Sequence, residues 1–222
     1  MIFLNRINSR TFFCLLFLVI AFNGCKHISL ESHEYIRWIE NPQNGLVKTK
    51  QINDILFIAQ LKPIDYYILQ NNQFQPIDSD LYINILQDVS GLIYFQYRIH
   101  LLNSNINPIL SDKLNIPYNK ALSYLAFQAN QDFSLQIGRQ IYPCLLHHFE
   151  QSHQLSPNVD ITLGFELPPS SNYTDVFKND LTLIYDDKLF GVGKIKISFN
   201  KEVLTNIPSL KLKDYDSKYQ NQ

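Results

Sequence analysis

The residues best suited to chemistry sit in one short stretch, Cys144-Leu-Leu-His147-His148-Phe-Glu150, followed by His153 and Asp160. Thiolate, imidazole and carboxylate are the side chains that hold zinc and related transition metals. The stretch therefore admits a metal-dependent hydrolase built on residues 144–160, or a plain strand with a buried cysteine and solvated histidines. In an extended chain, successive side chains point to opposite faces. By that rule Cys144, Leu146, His148 and Glu150 share one face of a strand over 141–150, while His147 turns away with Leu145 and Phe149. Cys144, His148 and Glu150 are the candidate metal ligands. No CxxC, HExxH or HxH spacing reinforces them, and the plain strand is the reading the pattern favours.

Other catalytic patterns are weaker. No Gly-x-Ser-x-Gly elbow is present. The carboxylate pairs Asp78/Asp80 and Asp186/Asp187 fall in turn-like stretches, where such side chains bond to the backbone. Gly191-Val-Gly193-Lys194 lacks both the earlier glycine and the following Ser or Thr of a phosphate loop, and reads as a turn entering a strand. Asn172-Tyr-Thr174 matches a glycosylation acceptor by chance. No cofactor is expected, and the balance leans away from an enzyme.

Alternation of apolar and polar residues marks the elements that must position these groups. Ile93 to Leu101, Ile161 to Leu167, Ile195 to Phe199 and Ile55 to Leu61 each show period two, the mark of a strand with one buried face. Leu181 to Tyr185 is a further strand, joined to the one at 195–199 by a hairpin over Asp186 to Gly191. Helical spacing is rarer. Pro63 opens a short helix through Leu69, Asp80 caps a segment with Leu81, Ile85 and Val89 on one face, and Leu122 to Ala129 follow Pro117 as an amphipathic helix. The fold expected is β-rich, mainly β or α+β, in the form of a β-sandwich with short helical insertions.

The N-terminus carries a different signal. Arg6 and Arg10 precede eleven apolar residues, Phe12 to Phe22, which end at Asn23-Gly24-Cys25. As a helix this run reaches about 16 Å, roughly half a hydrocarbon core, so it is too short to span and suits a signal-peptide core. The small Gly24 directly before Cys25 resembles the lipobox of bacterial lipoproteins, in which the cysteine is acylated and the bond before it cut. Phe22 and Asn23 replace the usual Leu and Ala or Ser, a relaxation similar to lipoproteins of the Bacteroidetes kind. Residues 1–24 are then a signal peptide, 25–32 a lipidated tether on Cys25, and 33–222 one globular β-rich domain. Two or three acyl chains hold such a protein stably at a membrane, here the bacterial envelope and its outer membrane.

Composition narrows the partners. The 222 residues are 45% hydrophobic and 18% charged, as in globular proteins. Loss of Arg6 and Arg10 leaves 17 basic against 20 acidic residues, a side-chain charge of −3, without the basic footprint of a nucleic-acid binder. Of three cysteines only Cys144 remains once Cys14 is removed and Cys25 acylated, so the fold rests on its core and on 15 Phe and 13 Tyr.

Glu34-Tyr-Ile-Arg-Trp38-Ile-Glu40-Asn-Pro-Gln-Asn-Gly45-Leu, Lys62-Pro-Ile-Asp-Tyr66 and Tyr142 to Glu150 are together similar to uncharacterised lipoproteins of the Bacteroidetes kind, a resemblance that implies no particular activity. Trp38, the one tryptophan, is a candidate contact for a partner or for the bilayer interface, set against a plain packing role. The function expected is a non-enzymatic binding or accessory component of a surface assembly, engaging an envelope protein or a glycan.

Overall fold

The computed structural model describes residues 28–151 and 156–213; the leader, Cys25 and His153 lie outside the described residues. The chain enters through β1 (Ser29–Leu30) and α1 (Ser32–Glu40), then forms the hairpin β2 (Val47–Ile52) and β3 (Ile55–Lys62). Helices α2 (Ile64–Asn71) and α3 (Ser79–Val89) lead to β4 (Leu92–Leu101) and α4 (Tyr118–Phe127). Then come β5 (Phe133–Ile137), β6 (Gln140–Glu150), β7 (Asn158–Glu166) and the short α5 (Tyr173–Phe177). The chain closes with β8 (Leu181–Asp187), β9 (Gly193–Phe199), α6 (Lys201–Leu204) and β10 (Ser209–Leu210). The fold is β-rich with short helices, as the alternation predicts. β1 already lies within the stretch expected as a tether, because Ser29 and Leu30 pair in parallel with Ser209 and Leu210.

Eight strands make one antiparallel sheet in the order β2-β3-β4-β7-β6-β5-β8-β9. Its apolar face is the one the period-two runs announce, and the register stacks it residue by residue: Phe57 lies opposite Ile99, and Phe95 opposite both Leu61 and Leu163. That face is hidden by folding the sheet onto itself. Ring contacts run from β4 across the interior to strands at least three places away, with Tyr97–Phe133 at 5.0 Å, Tyr97–Tyr185 at 5.5 Å and Phe95–Phe199 at 5.5 Å. The two halves thus face each other as a sandwich does, while hydrogen bonding continues through all eight strands.

The corner is β6. Residues 140–143 pair with β5, residues 144–150 pair with β7, and a bulge between Cys144 and Leu146 separates the two regimes. A bulge increases local twist and bends the strand, which is how a sheet turns a corner. The outer strands β2 and β9 then meet without joining in a ladder. Both carry lysines, Lys48 and Lys50 on one and Lys194 and Lys196 on the other, and such charges discourage pairing with another chain.

Two helix starts differ by a residue or two from the pattern. Asp78, rather than Asp80, caps α3 by accepting from the Leu81 N–H at 2.9 Å. Pro63 occupies the cap of α2 and not its first turn. The carboxylates expected to serve turns do so most fully at Asp187. This buried side chain accepts from the N–H groups of Leu189, Phe190 and Val192 at 3.0 Å each, and shapes a hairpin in which Gly191 and Gly193 take the left-handed backbone (φ 69° and 79°). Its replacement strands three backbone donors at once. We expect Asp187→Ala to lower stability by about 3 kcal/mol, measured as a shift in urea midpoint at unchanged slope.

Candidate functional site

The bulge in β6 decides the fate of the metal-ligand candidates. It inserts one residue and so reverses the parity that strict alternation assumes. Cys144 is buried in the interior, its thiol directed at the carbonyl oxygens of Leu146 (3.1 Å) and Gly164 (3.7 Å). Beyond the bulge, His147 and Phe149 lie opposite the interior residues Leu163 and Ile161, whereas His148 and Glu150 lie opposite Thr162 and Asp160 on the outer face. The expectation that Cys144 shares a face with His148 and Glu150 is therefore corrected. Among the described residues no group of three or more His, Cys, Asp or Glu side chains is placed to hold a metal ion. Burial pushes the Cys144 thiol up to about 12.

The outer face of β3, β4 and β7 carries a polar ladder. Lys62, only 5% exposed, donates from Nζ to Gln70 Oε1 and Gln96 Oε1, both at 2.8 Å. Thr162 donates to the same Gln96 oxygen at 3.1 Å, and Arg98 Nε meets Asp160 Oδ1 at 2.7 Å. Burial lowers the Lys62 ammonium to about 8, opposed chiefly by the charges of Glu150 and Asp160. Because Gln70 belongs to α2, the lysine ties that helix to the sheet, next to a stacked pair, Tyr67 on Tyr94, at 3.8 Å. A buried amine held by two glutamine oxygens has a structural part to play.

An open concavity lies elsewhere, between α1, α2, α5, α6 and the segment entering β10. This cleft of about 280 Å³ has apolar walls from Pro63, Ile64, Tyr173, Phe177, Leu204, Ile207 and Pro208. Binding sites are usually of this type, apolar with a few convergent polar groups. The polar groups here are Asp65, Thr174, Lys178, Thr205 and Ser209, with Tyr35 also in the lining. Asp65 accepts from the Tyr82 hydroxyl at 2.6 Å (Oδ1) and from the Leu210 N–H at 3.4 Å (Oδ2). The Tyr35 hydroxyl is buried with no hydrogen-bond partner among the described residues. Burial, then the charge of Asp65 and the neighbouring Tyr82, hold its pKa well above the usual phenol range. An unmet buried polar group is costly in a folded protein and marks a position where a ligand can supply the missing partner.

Trp38 does not line this cleft. It is half-buried on α1, packs against the core, and its carbonyl accepts from Asn44 Nδ2 at 2.8 Å. Tyr35, Asp65, Tyr173 and Phe177 went unmarked by any catalytic spacing, since they come from three separate helices. Cys25 lies outside the described residues; the first described residue, Ile28, meets the cleft lip, where the Ser209 N–H donates to its carbonyl at 3.0 Å.

Neither a family profile nor a curated protein matches the chain. A solved structure of a protein of unknown function from Burkholderia pseudomallei is similar at 13% identity, covering 81% of this chain and 94% of that one with a TM-score of 0.37. At that score the likeness carries no weight for fold or function.

Two outcomes follow from the buried groups. Cys144 is expected to resist alkylation by iodoacetamide at pH 8 in the native protein and to react once the protein is unfolded in urea, as read by peptide mapping. Lys62 binds its proton less readily folded than unfolded, so its contribution makes stability rise with pH between about 8 and 10.5. Urea titrations across that range should show a shallower rise for Lys62→Met than for the native chain.

Proposed function

We propose that the protein is a lipid-anchored component of the bacterial cell envelope that binds a partner or ligand without catalysing a reaction. The leader supports the anchor: a positive start, a short apolar run, and Gly24 before Cys25. Among the described residues no helix is long and apolar enough to cross a membrane, which leaves attachment to such an acylated cysteine open as the means of holding the body at a surface.

The observation that carries the binding role is the position of the cleft relative to the tether. Ile28 is three residues after Cys25, a stretch of at most about 10 Å, and is bonded to Ser209 on the cleft lip. On this reading an anchor at Cys25 lies within that reach of the apolar concavity. An accessory or receptor protein working close to a membrane, on an envelope protein or a glycan, is well served by this arrangement. Catalysis by Cys144, His148 and Glu150 has no such support, given that the bulge separates Cys144 from the other two.

The anchor and the role are tested together in membranes from the native host. The N-terminal peptide should carry acylated Cys25, and Cys25→Ser should move the protein from the membrane fraction to the soluble one. Mild cross-linking should recover a reproducible envelope partner with the native chain and lose it with the variant. An unmodified Cys25 in a membrane-retained protein would overturn the reading.

A further inference from the structure

We propose that the cleft beside β10 binds a small organic cation, an ammonium group carried on an apolar body, with Asp65 as its counter-charge. The proposal rests on the binding reading above and specifies the chemistry of the ligand. Tyr173 and Phe177 wall the cleft, with the fully buried Tyr35 behind them, and aromatic faces attract cations through their quadrupole. Asp65 is the only carboxylate in the lining. Its two bonds come from neutral donors, the Tyr82 hydroxyl and the Leu210 N–H, and no ion pair reaches it among the described residues.

The cleft's own cation does not fill this role. Lys178 Nζ is held by Asp175 Oδ1 at 2.9 Å, an exposed pair within one turn of the chain. The Tyr35 hydroxyl, buried without a partner and within the field of Asp65, supplies a second group that an ammonium N–H can satisfy by donating to it. A neutral apolar molecule would leave the carboxylate's charge without a counter-charge and the phenol unserved, and an anion would meet Asp65 at close range. A cation with an apolar body answers all three features at once: aromatic walls, a carboxylate with no cationic partner among the described residues and an unmet hydroxyl.

The test uses the full chain in a non-ionic detergent, titrated calorimetrically with phenethylammonium and with uncharged 2-phenylethanol. The ammonium should bind about tenfold more tightly than the alcohol, a preference that Asp65→Asn removes, while Phe177→Ala weakens both ligands. Tyr35→Phe should raise the thermal midpoint of the unliganded protein, because the orphaned hydroxyl is gone, yet weaken the ammonium several-fold. A purely structural tyrosine would not move the two readouts in opposite directions, and this variant decides the matter if Asp65→Asn fails to fold. Equal affinity for the two compounds, or a preference that survives Asp65→Asn, overturns the proposal. If that happens while cross-linking still recovers an envelope partner, the ligand chemistry is wrong and the envelope role stands. Loss of Cys25 acylation with the cation preference intact would sink the envelope role alone.

Discussion

A single antiparallel sheet with one apolar face has to hide that face on itself, and here the turn in β6 makes it possible. The bulge between Cys144 and Leu146 lets one strand serve two halves of the sheet, β5 on one side of the corner and β7 on the other. Without that bend, the rings of Phe95 and Tyr97 could not reach Phe199 and Tyr185 across the interior. The aromatic centre and the close approach of β2 to β9 both depend on this irregularity. So does the chemistry of the strand itself, because the extra residue sends Cys144 inward and His148 outward.

Burial of aromatic rings supplies the driving force, roughly 25 cal/mol for each Å² of apolar surface removed from water. Specificity comes from buried polar groups that have one correct geometry each. Asp187 fixes the β8–β9 hairpin through three backbone donors, and Lys62 fixes α2 against the sheet through two glutamine oxygens. Tyr97 and Tyr35 are exceptions, with hydroxyls that find no partner among the described residues. Tyr97 lies deep in the aromatic interior, where its ring packs on Phe133 and Tyr185. Tyr35 lies under the cleft. The same unmet hydroxyl thus has a packing context in one place and an opening beside it in the other.

The helices show how a β-rich body acquires a binding surface. α1, α2, α5 and α6 are short and come from widely separated parts of the sequence, yet they gather where β1 and β10 pair. That small parallel pairing joins the first and last described segments of the chain. It holds the entry of the tether beside the cleft, so attachment and recognition share one end of the molecule under the proposed role.

Much of this was legible in the residues themselves. Strict alternation over Ile93 to Leu101 and Ile161 to Leu167 depends only on the two-residue repeat of an extended backbone, so the strands and their buried faces followed directly. Asp186 and Asp187 announced a turn because short carboxylates bond to nearby N–H groups. β2 and β5 were missed: Val47-Lys-Thr-Lys-Gln-Ile52 is too polar to show a buried face, although Phe133, Leu135 and Ile137 do alternate. The face of Cys144 was read wrongly because a bulge leaves no local mark; it is imposed by the need to close the sheet. The cleft was invisible for a related reason. Tyr35, Asp65, Tyr173 and Phe177 belong to helices whose meeting is set by packing over the whole fold, and no spacing within the sequence encodes it. The sequence by itself determined which residues alternate and where the chain turns. The tertiary structure alone decided which side chains meet, because that depends on how one sheet bends to bury its apolar face.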